Sequence, residues 1–299
     1  DPYHHLIVIH NGANHFDLMG KDSKVTGFSL QTNKPDFSNV HRQVKTYLEK
    51  SAAAGKQWAV ACDEPGDATH ALRPDNDAGN SHEDGRRNAL WGTLMAGGWG
   101  NEWYFGYKHA HSDLTLEDFR SRDQWWDYCR YALEFFDKHE IPFWQMASRD
   151  NLTPTANAYC FCQPGKVYVV YLKQGGDARL DLSQGEGLFE VHWYDPRHGG
   201  ALQSGSVKSV QGGQMRSLGN PPKDAQADWV ILVRPADPDR NYAPAVDAGA
   251  DQTLMLPRDG KPVTAKLNGQ VHDDGKPIGR RVESAWSVVQ SEPRGIALK

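Results

Sequence analysis

Over the first half of the chain, short apolar runs alternate with helical periodicity. His5-Leu-Ile-Val-Ile-His10 is a continuous apolar run that ends in polar His10 and Asn11. Such a run predicts a strand buried on both faces, as in a parallel sheet. Val25–Leu30 repeats the pattern and ends at Gln31. Val40, Val44, Tyr47 and Leu48 then share one helix face, with Ser38 placed to cap the start and Gly55 to stop it. Gln57–Cys62 is a third buried strand, running into Asp63-Glu64-Pro65-Gly66. Ser81-His-Glu-Asp84 has the spacing of a capping box, ahead of a helix that carries Ala89, Leu90, Leu94 and Met95 and stops at Gly97-Gly98. Asn101–Phe105 predicts a fourth strand. Asp123 opens a last helix with Trp126, Cys129, Leu133 and Phe136 on its apolar face, and Pro142 marks its end.

From about residue 150 the period changes. Lys166–Leu172, Leu188–Tyr194 and Asp228–Val233 are strand-like, and Gly, Pro and Asn pairs punctuate the intervals. Short strands without helical stretches predict a β-sandwich over 148–235. Residues 236–243 are rich in Pro and Asp and predict a linker. Beyond it, Thr253–Leu256 and Ala285–Val289 are strand-like, in a tail too short for a complete sandwich of about 100 residues.

Four strand–helix units over 1–147 fit either an open doubly wound sheet or part of a (β/α)8 barrel, which needs about 250 residues. No glycine-rich phosphate loop follows any strand, which disfavours a nucleotide-binding open sheet. Polar residues gather where the strands end: His10 and Asn11, Gln31, Asp63 and Glu64, Glu102. Barrel enzymes carry their catalytic groups at that end. The expected fold class is therefore α/β plus all-β. It begins with the C-terminal half of a (β/α)8 TIM barrel, its first four units upstream of Asp1. A β-sandwich and a truncated third domain over 236–299 follow.

Charge and composition narrow the function. A net charge of −5, spread along the chain, argues against a nucleic-acid or anionic-membrane partner. No apolar run reaches the ~20 residues of a membrane span. The chain opens on Asp1 without a leader, as expected of a processed protein or a fragment. Four cysteines without a Cys-x-x-Cys leave no disulfide framework and no structural zinc site. Cys160 and Cys162, two apart in a strand, would share one face. Ten tryptophans against five methionines supply flat rings that fill cores or stack on sugars.

The candidate chemistry is carboxylate and aromatic. Glu64 closes a buried strand and is the candidate catalytic group; glycosidases cleave acetals with two carboxylates. The same tetrapeptide also has turn-forming composition. Glu102 lies among Trp99, Trp103 and Tyr104, an arrangement that grips a sugar by stacking and by bonds to hydroxyls. An ion pair of Glu102 with Arg86 is the structural alternative. His82, Glu83, Arg86 and Arg87 form a charged cluster expected to be solvated surface. His109-x-His111-x-Asp113 has a metal-ligand spacing without partners elsewhere, so no metal and no cofactor are expected. Asp273-Asp274-Gly275 reads as a hairpin turn. Neither His-Glu-x-x-His nor Gly-x-Ser-x-Gly occurs.

The stretches Asp63–Gly66, Arg86–Gly98, Gly100–Tyr107 and Glu117–Asp123 resemble a bacterial family of secreted, glycosidase-like (β/α)8 proteins. Phe189–Arg197, Gly199-Gly200 and Leu218–Pro222, ending in Asp228-Trp229-Val230, are similar to the β-domain appended to such barrels. That domain is conventionally labelled a collagen-binding domain of a collagenase and also follows apiosidase-type glycoside hydrolase barrels. The tail, from Asn241–Pro244 through Ala248–Thr253 to Trp286–Val288, resembles the start of an immunoglobulin-like repeat. The resemblance implies that Glu64 matches the nucleophile of retaining glycosidases, with the acid/base upstream of this chain. His10, Asn11, Gln31, Asp63, Trp99, Glu102, Trp103 and Tyr104 would then bind a poly- or oligosaccharide. The protein would be secreted or displayed at a bacterial cell surface, and this piece alone would be inactive. The competing expectation is a non-catalytic extracellular protein that holds glycan or matrix through its sandwich.

Overall fold

The fold is described from a computed structural model. It covers residues 2–3, 5–11, 14–32, 36–66, 69–115 and 118–237, and beyond these 245–247, 252, 254, 259, 263–272, 283–285 and 287. Residues Asp1–Ala236 form one compact unit and Asp237–Lys299 another.

The first unit opens with β1 (Val8–Asn11), β2 (Gly27–Gln31), β3 (Ala59–Glu64) and β4 (Gly100–Asn101). They form a parallel sheet in sequential order. That order lacks the reversal that marks a doubly wound sheet. A single 3-10 turn, Phe16–Leu18, lies between β1 and β2. Helix α1 (Val40–Ala53) connects β2 to β3. Next come α2 (His82–Asp84), a π-helical stretch Gly85–Leu90 and α3 (Trp91–Ala96), which lead into β4; α4 (Asp123–Lys138) follows. Gly97 ends α3 at φ 86°, and the amides of Gly97 and Gly98 reach back to Leu94 and Thr93. That left-handed closure is why glycine stands there.

Several local expectations fail for physical reasons. β1 is not buried on both faces: Leu6, Ile7 and Val8 are exposed, because β1 is the edge of the sheet among the described residues. Ser38 does not cap α1; its hydroxyl bonds Asp36 instead, and Asn39 takes the cap position. Ser81 turns its hydroxyl to the Ala71 carbonyl, so no capping box forms. The fourth strand is only two residues long. In α4 the buried row is Trp125, Tyr128, Ala132 and Phe135. Trp126, Cys129 and Phe136 lie half-buried beside it, and Leu133 is 69% exposed. Two adjacent apolar rows share the same spacing, and packing selects between them.

The second half builds a six-stranded antiparallel sheet. Its members are β5 (Ala147–Ser148), β6 (Ala158–Gln163), β7 (Val167–Leu172), β9 (Leu188–Tyr194), β10 (Ser209–Gln211) and β12 (Trp229–Pro235). A two-stranded ribbon, β8 (Ala178–Asp181) with β11 (Met215–Gly219), accompanies it. The sheet feeds two cores. Cys160, Cys162, Tyr168, Val170 and Trp193 pack with Leu180 and Leu218 of the ribbon. Tyr159, Tyr171, Tyr194 and Leu232 join the core under α1, α3 and α4. Trp91 stacks on Tyr171 at 5.2 Å, and Phe135 meets Tyr194 at 4.9 Å. Both faces being covered explains the near-continuous apolar runs of β7 and β12. Cys160 and Cys162 share one core as free thiols.

In the second unit, β13 (Ala245–Asp247) pairs antiparallel with β14 (Gln270–His272). The expected turn 273–275, the Trp286–Val288 motif and most of the two predicted tail strands fall outside the described residues.

Candidate functional site

A cleft of about 370 Å³ opens where the parallel strands end. Strand register builds it. His10 of β1 lies opposite Ser29 of β2, and β3 delivers Asp63 and Glu64 as its last residues. The chain after β4 adds Glu102, Trp103 and Tyr104, and a later loop returns Asp113. Glu102 is anchored through its backbone, whose N–H donates to the Cys62 carbonyl at 3.1 Å. Trp103 meets Trp125 edge-on at 4.4 Å, so the core fixes its ring at the rim.

A proton-linked chain runs through the site. Ser29 Oγ donates to Asp63 Oδ2. Having one hydrogen to give, Ser29 then accepts from His10 Nδ1–H at 2.7 Å. His10 Nε2 faces Glu64 Oε2 at 3.1 Å. Among the described residues, His10 is the one hydrogen-bond partner of the Glu64 carboxylate. Glu64 stays 27% exposed, oriented on one side and open to the cleft. Partial desolvation raises the Asp113 carboxyl, and the charge of Glu64 adds to it. The N–H of Phe105 donates to Asp113 at 3.1 Å and opposes that rise. The cleft thus pairs an oriented carboxylate with carboxyls in other environments, the division of labour that acid–base chemistry needs.

Six of the residues singled out from sequence meet here: His10, Asp63, Glu64, Glu102, Trp103 and Tyr104. Gln31 registers beside Glu64 in the backbone but does not line the cleft. Trp99 does not line it either. Its N–H bonds Val60, back toward the start of β3, and its ring is 68% exposed. The Asn11 side chain lies outside the described residues. Ser29 and Asp113 are additions. Ser29 left no signal in a buried strand, whereas Asp113 was already conspicuous in the His109-x-His111-x-Asp113 spacing. Among the described residues, no group of three or more His, Cys, Asp or Glu side chains could hold a metal ion.

The cluster expected to be solvated is so only at Glu83; Arg87 is half-buried and the others lie in the seam between the two halves. His82 and Arg86 are buried, and Arg86 does not pair with Glu102. It grips Asp228 with Nε at 2.9 Å and Nη2 at 2.7 Å. Tyr171 donates to the same carboxylate at 2.8 Å.

Residues 148–234 match the family model described as "Putative collagen-binding domain of a collagenase". No curated protein matches the chain. Among solved structures, one titled "Glycoside hydrolase" is similar at a TM-score of 0.55 and 14% identity, over 74% of this chain and 55% of that one. A glycoside hydrolase family 5 structure from Bacteroides vulgatus ATCC 8482 is similar at 0.55 and 16% identity, over 74% of this chain and 53% of that one. The chain spans about half the length of these structures, and the likeness is one of fold: mixed α/β, largely β, as in glycoside hydrolases.

Proposed function

We propose that residues 1–147 are the C-terminal half of a (β/α)8 glycosidase barrel, with Glu64 as nucleophile. The acid/base would come from residues outside this chain, which spans about half of the hydrolases it resembles. The observation that carries this reading is the convergence of Glu64, His10, Glu102 and the Trp103 and Tyr104 rings on one cleft at the carboxyl ends of parallel strands. Glu64 would attack or stabilise the anomeric carbon, while the rings stack on the sugar. Kinship with apiosidase-type hydrolases, secretion and an immunoglobulin-like tail belong to the same proposal and rest on the sequence motifs.

In the whole protein, Glu64→Gln should lower turnover of the glycan by at least about 10³-fold, the scale of losing a key catalytic group. Wild-type rates in that variant would remove Glu64 from the chemistry.

The family match over 148–234 favours a second activity, retention on matrix or glycan by the sheet domain. Pull-down on immobilised collagen and on insoluble polysaccharide, with the whole chain, tests it. Recovery on neither would leave the domain a structural role.

A further inference from the structure

A second cavity, of about 470 Å³, lies at the seam, lined by the π-helical stretch, α4 and a loop of the sheet domain. Its volume falls within the range of about 300–1,000 Å³ typical of small-molecule sites. Two guanidiniums line it, Arg87 from the π-helical stretch and Arg197 from the sheet domain. Arg87 is pinned by Glu83 through Nη1 and by Asp228 through Nε. Arg197 is pinned by Asp195 through Nε and Nη2, with Asp224 on the same Nη2. Each keeps one nitrogen, Nη2 of Arg87 and Nη1 of Arg197, with no acceptor among the described residues. Neither nitrogen is sealed from solvent without a partner. Beneath them Arg86 lies over the Tyr128 ring at 4.6 Å, fixed by Asp228. His198 engages Asp195 through Nδ1 and is 68% exposed, so its other face is open.

These donors are held before any ligand arrives, and rigid donors bind at low ordering cost. The carboxylates are committed to the arginines, so the cavity offers donors in excess and selects an acceptor-rich group. A charged N–H donates most strongly to a carboxylate, and each guanidinium offers one nitrogen for it. Arg86, Arg87, Arg197 and Lys223 are matched by Asp228, Glu83, Asp195 and Asp224, so the site has no excess positive field to hold a polyanion, and a single carboxylate would be held by directed hydrogen bonds. The π-helical geometry of Gly85–Leu90, which aims Arg86 and Arg87 into the seam, is a form often found at functional sites.

We propose that this cavity is a binding site, separate from the Glu64 cleft, for a monoanionic sugar acid. Its carboxylate would rest on Arg87 and Arg197, and its hydroxyls on Gln124 and His198.

The test is titration of the whole chain, by NMR or calorimetry, with D-glucuronate, D-glucose and acetate. D-glucuronate should bind, D-glucose and acetate should each bind at least about tenfold more weakly, and Arg197→Lys should weaken glucuronate by about tenfold or more. The lysine keeps the charge and loses the fork; because that fork also holds the buried Asp195, a thermal melt of the variant checks that the fold is kept. Glu64→Gln should leave the affinity unchanged. Equal binding of glucose, equal binding of acetate, or no binding of glucuronate overturns the proposal. Loss of binding in Glu64→Gln would move the ligand to the cleft and overturn it as well, without touching the role proposed for Glu64.

Discussion

Two carboxylates at strand ends, Glu64 closing β3 and Asp228 just ahead of β12, show how surroundings assign a job to one chemical group. Asp228 is fully buried and takes four donor contacts, two from Arg86 and one each from Tyr171 and Arg87. Burial alone would raise its carboxyl. The bonds and charge of Arg86, joined by Tyr171 and Arg87, instead hold it below the usual carboxylate range. Every lone pair is spent, and the group can only hold the halves together. Glu64 has His10 as its one hydrogen-bond partner among the described residues and faces an open cleft. A carboxylate that is oriented yet under-used is available for chemistry; a saturated one is a fastener.

The comparison breaks most sharply at the seam. Asp228→Ala should cost about 3–5 kcal/mol of stability, because it strands the buried Arg86 charge. Glu64→Gln should stay within about 0.5 kcal/mol of wild type in the same denaturant melts. Equal losses would erase the distinction. Ser29→Ala sharpens the other side. Without Ser29, His10 loses the partner that fixes its tautomer, and turnover in the whole protein should fall by about tenfold, the value of one hydrogen bond to a charged group. The accompanying pH profile should also shift; an unchanged profile would make Ser29 mere packing.

Acid stability isolates a third group. Burial first, then the charge of Arg234, lowers the His139 imidazole to about 4. Above about pH 6.5 it is neutral folded and unfolded alike. As pH falls from there toward 4, the unfolded chain takes the proton first, so stability declines across that window. His139→Gln should flatten that decline, read as the difference between melts at pH 7 and pH 4.5. The smallest effect is expected at Leu133→Lys, within about 0.5 kcal/mol, since that side chain faces solvent despite its place on the apolar row read from sequence.

The parallel strands, their order of appearance and the gathering of His10, Asp63, Glu64 and Glu102 were legible because buried strands and strand-end polarity leave local marks. The seam was not. Arg86 and Asp228 are 142 positions apart, and no pattern at either one names the other. Asp113 reaches the cleft from a loop, where periodicity is silent. Trp99 shows the opposite error: neighbours in sequence to Glu102 and Trp103, it sits toward the other end of a strand too short to carry all three. The phase of α4 was lost because Trp125 and Trp126 begin two equally spaced rows.

The six-stranded sheet has one face roofed by α3 and α4 and the other by its own ribbon. Grafted onto a foreign partner, residues 148–235 would carry Tyr159, Tyr171, Tyr194 and Leu232 as a naked greasy plane, an invitation to clumping. This segment can travel through evolution only with its roof, or after repainting that plane.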